Sequence, residues 1–178
     1  MTIPASSLTP GTFLSPLDAI LLEHDRQRAI ADWLLEFGNK QQLGPVLEEA
    51  EALLAFLTHD LLLHHKDEED DLFPMLRLRC KPEDKIGGIL AELDRDHAAE
   101  SFLIRDIAVD LRVIVDGTDL ENPARFLSSL CIFGEGQQRH LSWENKAVLP
   151  LAGKRLTPED LEALGRSMAA RWGIDYPS

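Results

Sequence analysis

The sequence predicts an all-α protein, specifically an antiparallel up-down four-helix bundle followed by a short extra helix at the C-terminus. Three observations predict this fold class. Apolar residues recur at spacings of three and four along four long segments. Breaks that contain proline or glycine separate these segments. No segment shows the convincing alternation of apolar and polar residues that is typical of a strand, so a bundle is the natural architecture.

The first two long helices have clear starting signals. Ser15-Pro16 provides an N-cap residue followed by proline at the first helical position, and the helix is expected to end near Gly38-Asn39. The second helix is predicted to open at Gly44-Pro45. Pro74 should kink or end this helix, although the apolar pattern continues through Leu78.

The third and fourth helices are bounded in the same way. The residues from Lys81 to Asp84 mark the start of the third, although Gly87-Gly88 weakens its first turns and favours a later start. Asp116-Gly117-Thr118 is expected to end it, and Asn122-Pro123 to cap the fourth. Both helices carry an apolar stripe, as a bundle requires.

A short fifth helix is predicted after Thr157-Pro158, where a start resembling a capping box precedes further helical spacing up to about Trp172. The chain therefore divides into three parts. Residues 1–14 form an N-terminal arm, residues 15–152 form the four-helix bundle, and residues 153–178 form a C-terminal extension with the short helix.

Composition excludes several classes of function. The net charge is −13 and the sequence has no basic stretch, so nucleic acid is not an expected partner. No apolar run is long enough to suggest a membrane span, and the N-terminus lacks the pattern of a signal peptide. Cys80 and Cys131 are isolated, which argues against a disulfide scaffold. A cytoplasmic location is expected.

A group of metal-capable residues occurs twice in the chain. In each copy a His is followed four residues later by a Glu, and a Pro comes six residues after the Glu. The copies are His64, Glu68 and Pro74, and His140, Glu144 and Pro150, and each is preceded by a single His after an acidic residue, His24 or His97. Packing requirements alone rarely produce such a repeat, so the sequence predicts a metal site.

The chemistry of these residues supports that prediction. They lie on helix stripes that are otherwise largely Leu, Ile and Phe, and a His and a Glu four positions apart share one face. Burying ionised Glu without a partner is unfavourable, so two buried Glu require a cation. Imidazole nitrogen and carboxylate oxygen suit iron, manganese or zinc. The predicted metal ligands are His24, His64, Glu68, His97, His140 and Glu144.

The number of donors favours two ions over one. A single zinc ion, commonly four-coordinate, would leave ligands unused. Two octahedral ions need more donor atoms than four His and two bridging Glu supply. If an oxygen also bridges the ions, about one coordination position on each ion stays open. Ferritin-like bundles instead use Glu-x-x-His, which is the reverse order. Open positions are where a small molecule could bind.

Together with Leu72-Phe73-Pro74 and Leu149-Pro150, these six residues make the chain resemble the hemerythrin-like family, and within it the bacterial HHE cation-binding domains, over helices one to four. The resemblance implies a non-haem di-iron centre, oxo- or hydroxo-bridged, with Glu68 and Glu144 bridging the irons. Manganese or zinc are alternatives. Oxygen-carrying members have a fifth His one turn beyond the third-helix ligand, where this chain has Ser101. The chain therefore looks more like four-His members associated with sensing of oxygen, nitric oxide or iron, or with repair of iron centres.

Three functional hypotheses follow. The first is a metal-binding protein whose di-iron centre binds or senses oxygen, nitric oxide or a related small oxidant. The second is a di-iron enzyme that reduces peroxide or nitric oxide, or a protein that supplies iron for repair of iron centres. The third is a structural metal site or an interaction bundle. No protein partner is indicated by the sequence.

Several further residues have open roles. His59 is expected to serve as a polar residue of the core or as a hydrogen-bond partner of a ligand, with metal ligation as an alternative. His65 is expected to face outward or toward a neighbouring helix. Glu69 is expected on a solvated acidic face, with metal ligation as an alternative. Gly134 and Gly136 could leave a channel, or they could permit a close contact between helices or a local bend.

Overall fold

The computed structural model describes residues 2–177, and helices are the only regular secondary structure in that range. Helix α1 spans Pro16–Asn39. Helix α2 is a continuous helical run over residues 50–79, α3 spans Ile86–Val115, α4 is a run over residues 123–155, and α5 spans Pro158–Arg171. The prediction of an all-α protein is confirmed. Within the described range, no helix has the length and hydropathy required to cross a membrane.

Helices α2 and α4 are interrupted by wider π-helical turns. In α2 the order is α-helical Ala50–Ala55, π-helical Phe56–Asp60, α-helical Leu61–Lys66, π-helical Asp67–Leu72 and α-helical Phe73–Arg79. In α4 the order is α-helical Pro123–Trp143, π-helical Glu144–Val148 and α-helical Leu149–Arg155. A π turn has its hydrogen bond to the residue five positions back, and such turns are frequent at functional sites.

These π turns allow the two prolines to sit inside continuous helices. The N–H of Phe73 donates to the carbonyl of Glu68, five residues back, and Pro74 follows immediately. The same arrangement after Glu144 precedes Pro150. Proline has no N–H, and in a regular helix its ring clashes with the carbonyl four residues earlier. A wider turn at this point relieves that conflict, so Pro74 does not end α2.

The starts of α2 and α3 lie later than the first starting signals in the sequence. Gly44–Glu48 forms a separate short helix, and α2 begins at Ala50 after a break. Pro82–Asp84 forms a separate 3-10 turn. Lys85 has a φ of 51°, in the left-handed region, so the backbone cannot pass directly from that turn into α3. Helix α3 begins at Ile86 and includes Gly87 and Gly88 in its first turn, so these glycines do not delay the start.

Two apolar clusters fill the interior. The first includes Ile20, Leu72, Leu93 and Val148. The second includes Ile30, Leu61, Ile104 and Phe133. Helix α1 packs mainly on α4, and α3 packs on both α2 and α4. On each of the four long helices, buried His or Glu residues lie between a residue of the first cluster and a residue of the second. The core therefore has an apolar layer on either side of a polar one.

The N-terminal arm packs against the rest of the chain. Phe13, in a 3-10 turn over Pro10–Leu14, is fully buried and belongs to the first apolar cluster. A Cβ atom at Gly165 of α5 would lie 2.2 Å from the Phe13 carbonyl oxygen, so this close approach requires glycine. Nearer the start, the Arg26 Nε donates to the Pro4 carbonyl at 2.6 Å. The arm thus lies against both α1 and α5.

Candidate metal centre

The structure brings all six predicted ligands together in the polar layer, and none exposes more than 5% of its surface. Their donor atoms form two groups, His24, His64, Glu68 and Glu144 in one and Glu68, His97, His140 and Glu144 in the other. Within each group, the donor atoms lie within 4.8 Å of one another. Glu68 and Glu144 belong to both groups. Two ion positions that share both carboxylates fit this arrangement.

Helix geometry explains the convergence. The imidazole of His64 and the carboxylate of Glu68 come from consecutive turns of α2, and residues four apart lie on one face of a helix. The same relation holds for His140 and Glu144 in α4. Each Glu lies in a π turn, so the backbone around it is wider than in a regular helix. Helices α1 and α3 each add one imidazole.

Most contacts between these side chains are too long for hydrogen bonds. The His24 Nε2 lies 3.5 Å from the Glu68 Oε1 and 3.4 Å from the Glu144 Oε2. The His64 Nε2 lies 3.6 Å from the Glu68 Oε2, whereas hydrogen bonds between nitrogen and oxygen are about 2.7–3.2 Å. Donor atoms that share one ion are separated in this way, because each of them bonds to the ion and not to its neighbour.

The donor atoms of the second group are closer together. The Nε2 atoms of His97 and His140 lie 3.0 Å apart. Two nitrogens bound at right angles to one ion, with bonds of about 2.1 Å, would be about 3.0 Å apart. The His97 Nε2 is also 3.5 Å from the Glu68 Oε2. The His140 Nε2 is 2.9 Å from the Glu144 Oε1, but the two side chains are not aligned as a hydrogen bond requires. Both imidazoles therefore direct a nitrogen toward the same point.

Several buried polar atoms of the centre have no hydrogen-bond partner among residues 2–177. They are the Nε2 atoms of His24 and His64 and all four carboxylate oxygens of Glu68 and Glu144. Buried polar groups are normally hydrogen-bonded, and leaving several of them unpaired in one place is costly. Metal coordination would satisfy all six atoms at once. The nitrogen and oxygen donors thus fit first-row metal ions such as iron, manganese or zinc.

Hydrogen bonds at the outer nitrogens orient two of the imidazoles. The His24 Nδ1 donates to the Asn145 Oδ1 at 2.6 Å, and the His97 Nδ1 donates to the Glu69 Oε1 at 2.8 Å. Each bond leaves the inner Nε2 free as an acceptor, which is the form that binds a metal. The side chain of Glu69 is 41% exposed, so it is both partly solvated and a partner of His97. The sequence had not indicated Asn145, which follows Glu144 directly.

Two neighbouring histidines have different positions. His65 is buried and faces α3, where its ring stacks on His97 with centroids 4.0 Å apart and its Nε2 lies 3.3 Å from the Glu100 Oε2. This agrees with the expected orientation toward a neighbouring helix. The prediction for His59 was wrong. Its side chain is 70% exposed and its Nδ1 lies 2.8 Å from the Asp60 Oδ1, away from the centre.

The electrostatics of the metal-free centre are those of a site built for a cation. Burial, reinforced by the charge of Glu144, raises the pKa of Glu68 well above its usual range. Burial also lowers the pKa of His64 well below its usual value. Burial opposes the charged form of His140, but Glu144, Glu100 and Asp96 together raise its pKa to about 9. A bound cation would favour ionised Glu68 and neutral His140 instead.

The two glycines of α4 have separate roles. A Cβ atom at Gly134 would lie 2.9 Å from the Leu35 Cγ and 3.1 Å from the Ala31 carbonyl oxygen, so Gly134 permits close packing of α1 on α4. A Cβ atom at Gly136 would have no other atom within 4 Å. Gly136 instead lines a cavity of about 420 Å³ between α3 and α4, whose wall includes His140. The expected close contact between helices is therefore confirmed at Gly134, whereas a channel at Gly136 stays a prediction.

Comparisons with known proteins agree with this geometry. The family model described as "Hemerythrin HHE cation binding domain" matches residues 15–152, which include all six candidate ligands. A protein of Haemophilus influenzae, described as uncharacterized, is 26% identical over 90% of this chain and 92% of its own length. No solved structure gave a significant match. Because the family match covers most of the chain and all of the buried His and Glu donors, this protein belongs to the hemerythrin HHE cation-binding family.

Proposed function

We propose that this chain holds two iron ions, oxo- or hydroxo-bridged, and that this centre binds or senses oxygen, nitric oxide or a related small oxidant. The observation that carries the proposal is the pair of four-residue donor groups that share Glu68 and Glu144. Sharing of both carboxylates favours two ions over one. The identity of the metal as iron rests on the family and on donors that suit it.

The proposal includes an antiparallel up-down arrangement of α1 to α4. In α1 the chain passes from Ile20 in the first apolar cluster, through His24, to Ile30 in the second cluster. In α2 the order is reversed, from Leu61 in the second cluster to Leu72 in the first. The same alternation occurs in α3 and α4. Alternating order along successive helices supports opposite directions for neighbours in the chain.

The proposed ligand chemistry depends on an incomplete donor set. Ferrous ions with an open coordination position would bind a small oxidant there and supply the electrons that reduce it. The protein contributes two imidazoles to each group, and the two carboxylates offset the charge of the ions. At the position of a fifth His, the Ser101 Oγ donates to the His97 carbonyl at 2.9 Å, so this hydroxyl is used by the backbone. The His97 and His140 group therefore lacks the additional donor that a fifth His would provide.

The cavity beside His140 provides space for a small molecule to approach. Apolar side chains such as Phe102 and Phe133 line much of it, charged side chains such as Arg139 line the rest, and Gly136 leaves additional space. Uncharged diatomic molecules partition well into apolar space. Among the six candidate ligands, His140 is the one in the cavity wall. The approach is therefore proposed from the His140 side of the centre.

A cytoplasmic location is also part of the proposal. Cys80 and Cys131 are both free cysteines, as expected for a protein kept in a reducing compartment. Oxygen and nitric oxide cross membranes and would reach the centre there without a dedicated partner.

Anaerobic spectroscopy tests the proposed function. The protein is loaded with ferrous iron, the absorption spectrum is recorded, and oxygen or nitric oxide is then added. A new charge-transfer band is expected for the unaltered protein. His64→Ala should abolish the band because it removes a donor, whereas His59→Ala should leave it unchanged because His59 lies on the surface of the same helix. An iron-loaded protein whose spectrum does not change with either gas would contradict the proposal.

The same preparation separates binding from catalysis. With an excess of reductant, a binding or sensing protein takes up about one equivalent of oxidant per centre. Continuous consumption of oxidant, dependent on His64, would instead assign enzymatic turnover to the centre.

A further inference from the structure

Hydrogen bonds and ion pairs join helix α5 to the segment of α2 that carries Glu68. Asp67 is 1% exposed, and both of its carboxylate oxygens are used by groups from α5 and its C-terminal end. The Arg171 Nη1 donates to the Asp67 Oδ1, and the Trp172 Nε1 donates to the Asp67 Oδ2 at 2.7 Å. The residue next to a candidate bridging ligand is therefore fixed by a helix outside the family match, which ends at residue 152.

A second acidic residue of the same π turn is held in the same way. The Asp71 Oδ2 accepts hydrogen bonds from the Arg171 Nη2 at 2.6 Å and from the Ser167 Oγ at 2.8 Å. Arg171 thus bridges Asp67 and Asp71, which lie on either side of Glu68 in the chain. Charge-assisted hydrogen bonds of this kind are stronger than neutral ones, and an arginine with two acceptors fixes geometry as well.

Glu68 lacks any comparable restraint of its own. Neither of its carboxylate oxygens has a hydrogen-bond partner among residues 2–177. Its backbone lies in a π turn, which is less regular than an α-helical turn and requires support from its surroundings. The direction of the Glu68 side chain therefore depends on how the Asp67–Leu72 segment is held.

We propose that α5 positions one of the ligands of the metal centre. Arg171 and Trp172 act through Asp67 as positioning residues that hold the π turn so that Glu68 faces both ions. This inference rests on the proposed function, because it requires that Glu68 binds metal. It adds a specific role for a C-terminal segment that lies outside the family domain.

The chain offers a matched control for this role. Arg79, at the end of α2, binds Asp160 of α5 through an Nε–Oδ2 contact of 2.7 Å and an Nη2–Oδ1 contact of 2.9 Å. This pair joins the same two helices with the same chemistry, but it lies beyond Pro74 and does not contact the π turn. Arg171→Gln and Arg79→Gln therefore differ mainly in whether the altered contact holds the segment around Glu68.

Anaerobic titration with ferrous iron tests the proposal. Arg171→Gln should weaken iron binding by about tenfold or more, the usual effect of losing a group that orients a ligand. Trp172→Phe, which removes the indole N–H and keeps an aromatic ring, should weaken it in the same direction. Arg79→Gln should bind iron as the unaltered protein does, even if its melting temperature falls. Arg171→Lys should recover part of the lost affinity because it retains the positive charge.

Hydrogen exchange provides a second readout. Coupling between two sites is reciprocal, so iron that binds through Glu68 should slow amide exchange in α5 of the unaltered protein and not in Trp172→Phe. Failure of the unaltered protein to bind iron would reject the proposed function itself. Normal iron binding by the unaltered protein, with equal affinity in Trp172→Phe, Arg171→Gln and Arg79→Gln, would overturn this inference alone.

Discussion

Replacing Glu68 with Gln should make the metal-free protein more stable, although Glu68 is central to the proposed site. In the metal-free state its buried oxygens have no partner among residues 2–177, and burial with the charge of Glu144 raises its pKa well above the usual range. An acid with a raised folded-state pKa opposes folding at higher pH, because the folded state must take up a proton that the unfolded state has released. Gln has a similar shape and no charge.

The magnitude follows from the raised pKa of Glu68. Gln leaves polar atoms in the same place, so the gain comes from the proton that Glu68 must take up on folding. A pKa raised by one or two in the folded state costs about 1–3 kcal/mol, so Glu68→Gln should stabilise the metal-free protein by a similar amount at neutral pH. For a chain of this length, each kcal/mol raises the melting temperature by about 2–4 °C. When free iron is present at about a thousand times its Kd, iron binding stabilises the unaltered protein by about 4 kcal/mol. The variant should lose this stabilisation. The order of stability of the two proteins should therefore reverse when iron is added.

The assay is thermal or denaturant unfolding with and without ferrous iron, under anaerobic conditions. Asp67→Asn is the matched control, because Asp67 is an adjacent buried acid whose oxygens are both partnered. It should destabilise the metal-free protein, because a hydrogen bond to a charged group is worth about 1.5–3 kcal/mol. Burial raises the pKa of Asp67 only to about 6, so little proton uptake opposes folding at neutral pH. A Glu68→Gln variant that is less stable without metal, or that keeps the stabilisation by iron, would refute the reasoning.

Two other predictions concern packing and pH. Gly134→Ala should lower the melting temperature, because its Cβ would lie 2.9 Å from the Leu35 Cγ. Gly136→Ala should raise the stability by about 1 kcal/mol, because alanine has the better helix propensity. Equal changes in the melting temperatures of the two variants would contradict the close contact between Gly134 and Leu35. Iron affinity, measured by titration at several pH values, should rise up to about pH 9, because His140 has a pKa of about 9 and must lose its proton to bind metal. A flat pH profile would contradict the protonated state of His140.

The convergence of the six residues was predictable because it depends on local periodicity. A His and a Glu four positions apart share a helix face whatever the rest of the fold does, and the apolar stripes indicate which face is buried. Two of the capping signals were also confirmed, whereas the Ser15 side chain makes no capping hydrogen bond. The Asn122 Oδ1 accepts from the N–H of Arg125, and the Thr157 Oγ1 accepts from the N–H of Asp160, at the predicted starts of α4 and α5.

The groups that surround the ligands were less predictable because they come from distant parts of the chain. Asn145 meets His24 across 121 positions, and Arg171 meets Asp67 across 104 positions. Their contacts depend on how helices pack and not on spacing within one helix. Asp67 appeared in the sequence as one of a run of acidic residues, and nothing in that run distinguished it from its exposed neighbours.

The π turns explain why the apolar pattern predicted α2 incompletely. A proline after an apolar run predicts a kink or an end, but a single wider turn before Pro74 allows the helix to continue to Arg79. His59 lies in the earlier π turn of the same helix, and its side chain points to solvent. The pattern of apolar residues determines the buried face, whereas the position of a π turn depends on backbone geometry that the pattern does not describe.

Anomalous diffraction at the iron absorption edge, from crystals of protein grown with ferrous iron, tests the central claim most directly. The expected map has two peaks, both in contact with Glu68 and Glu144, one beside His24 and His64 and the other beside His97 and His140. One peak, or iron bound elsewhere while these six side chains stay uncoordinated, would contradict the two-ion centre.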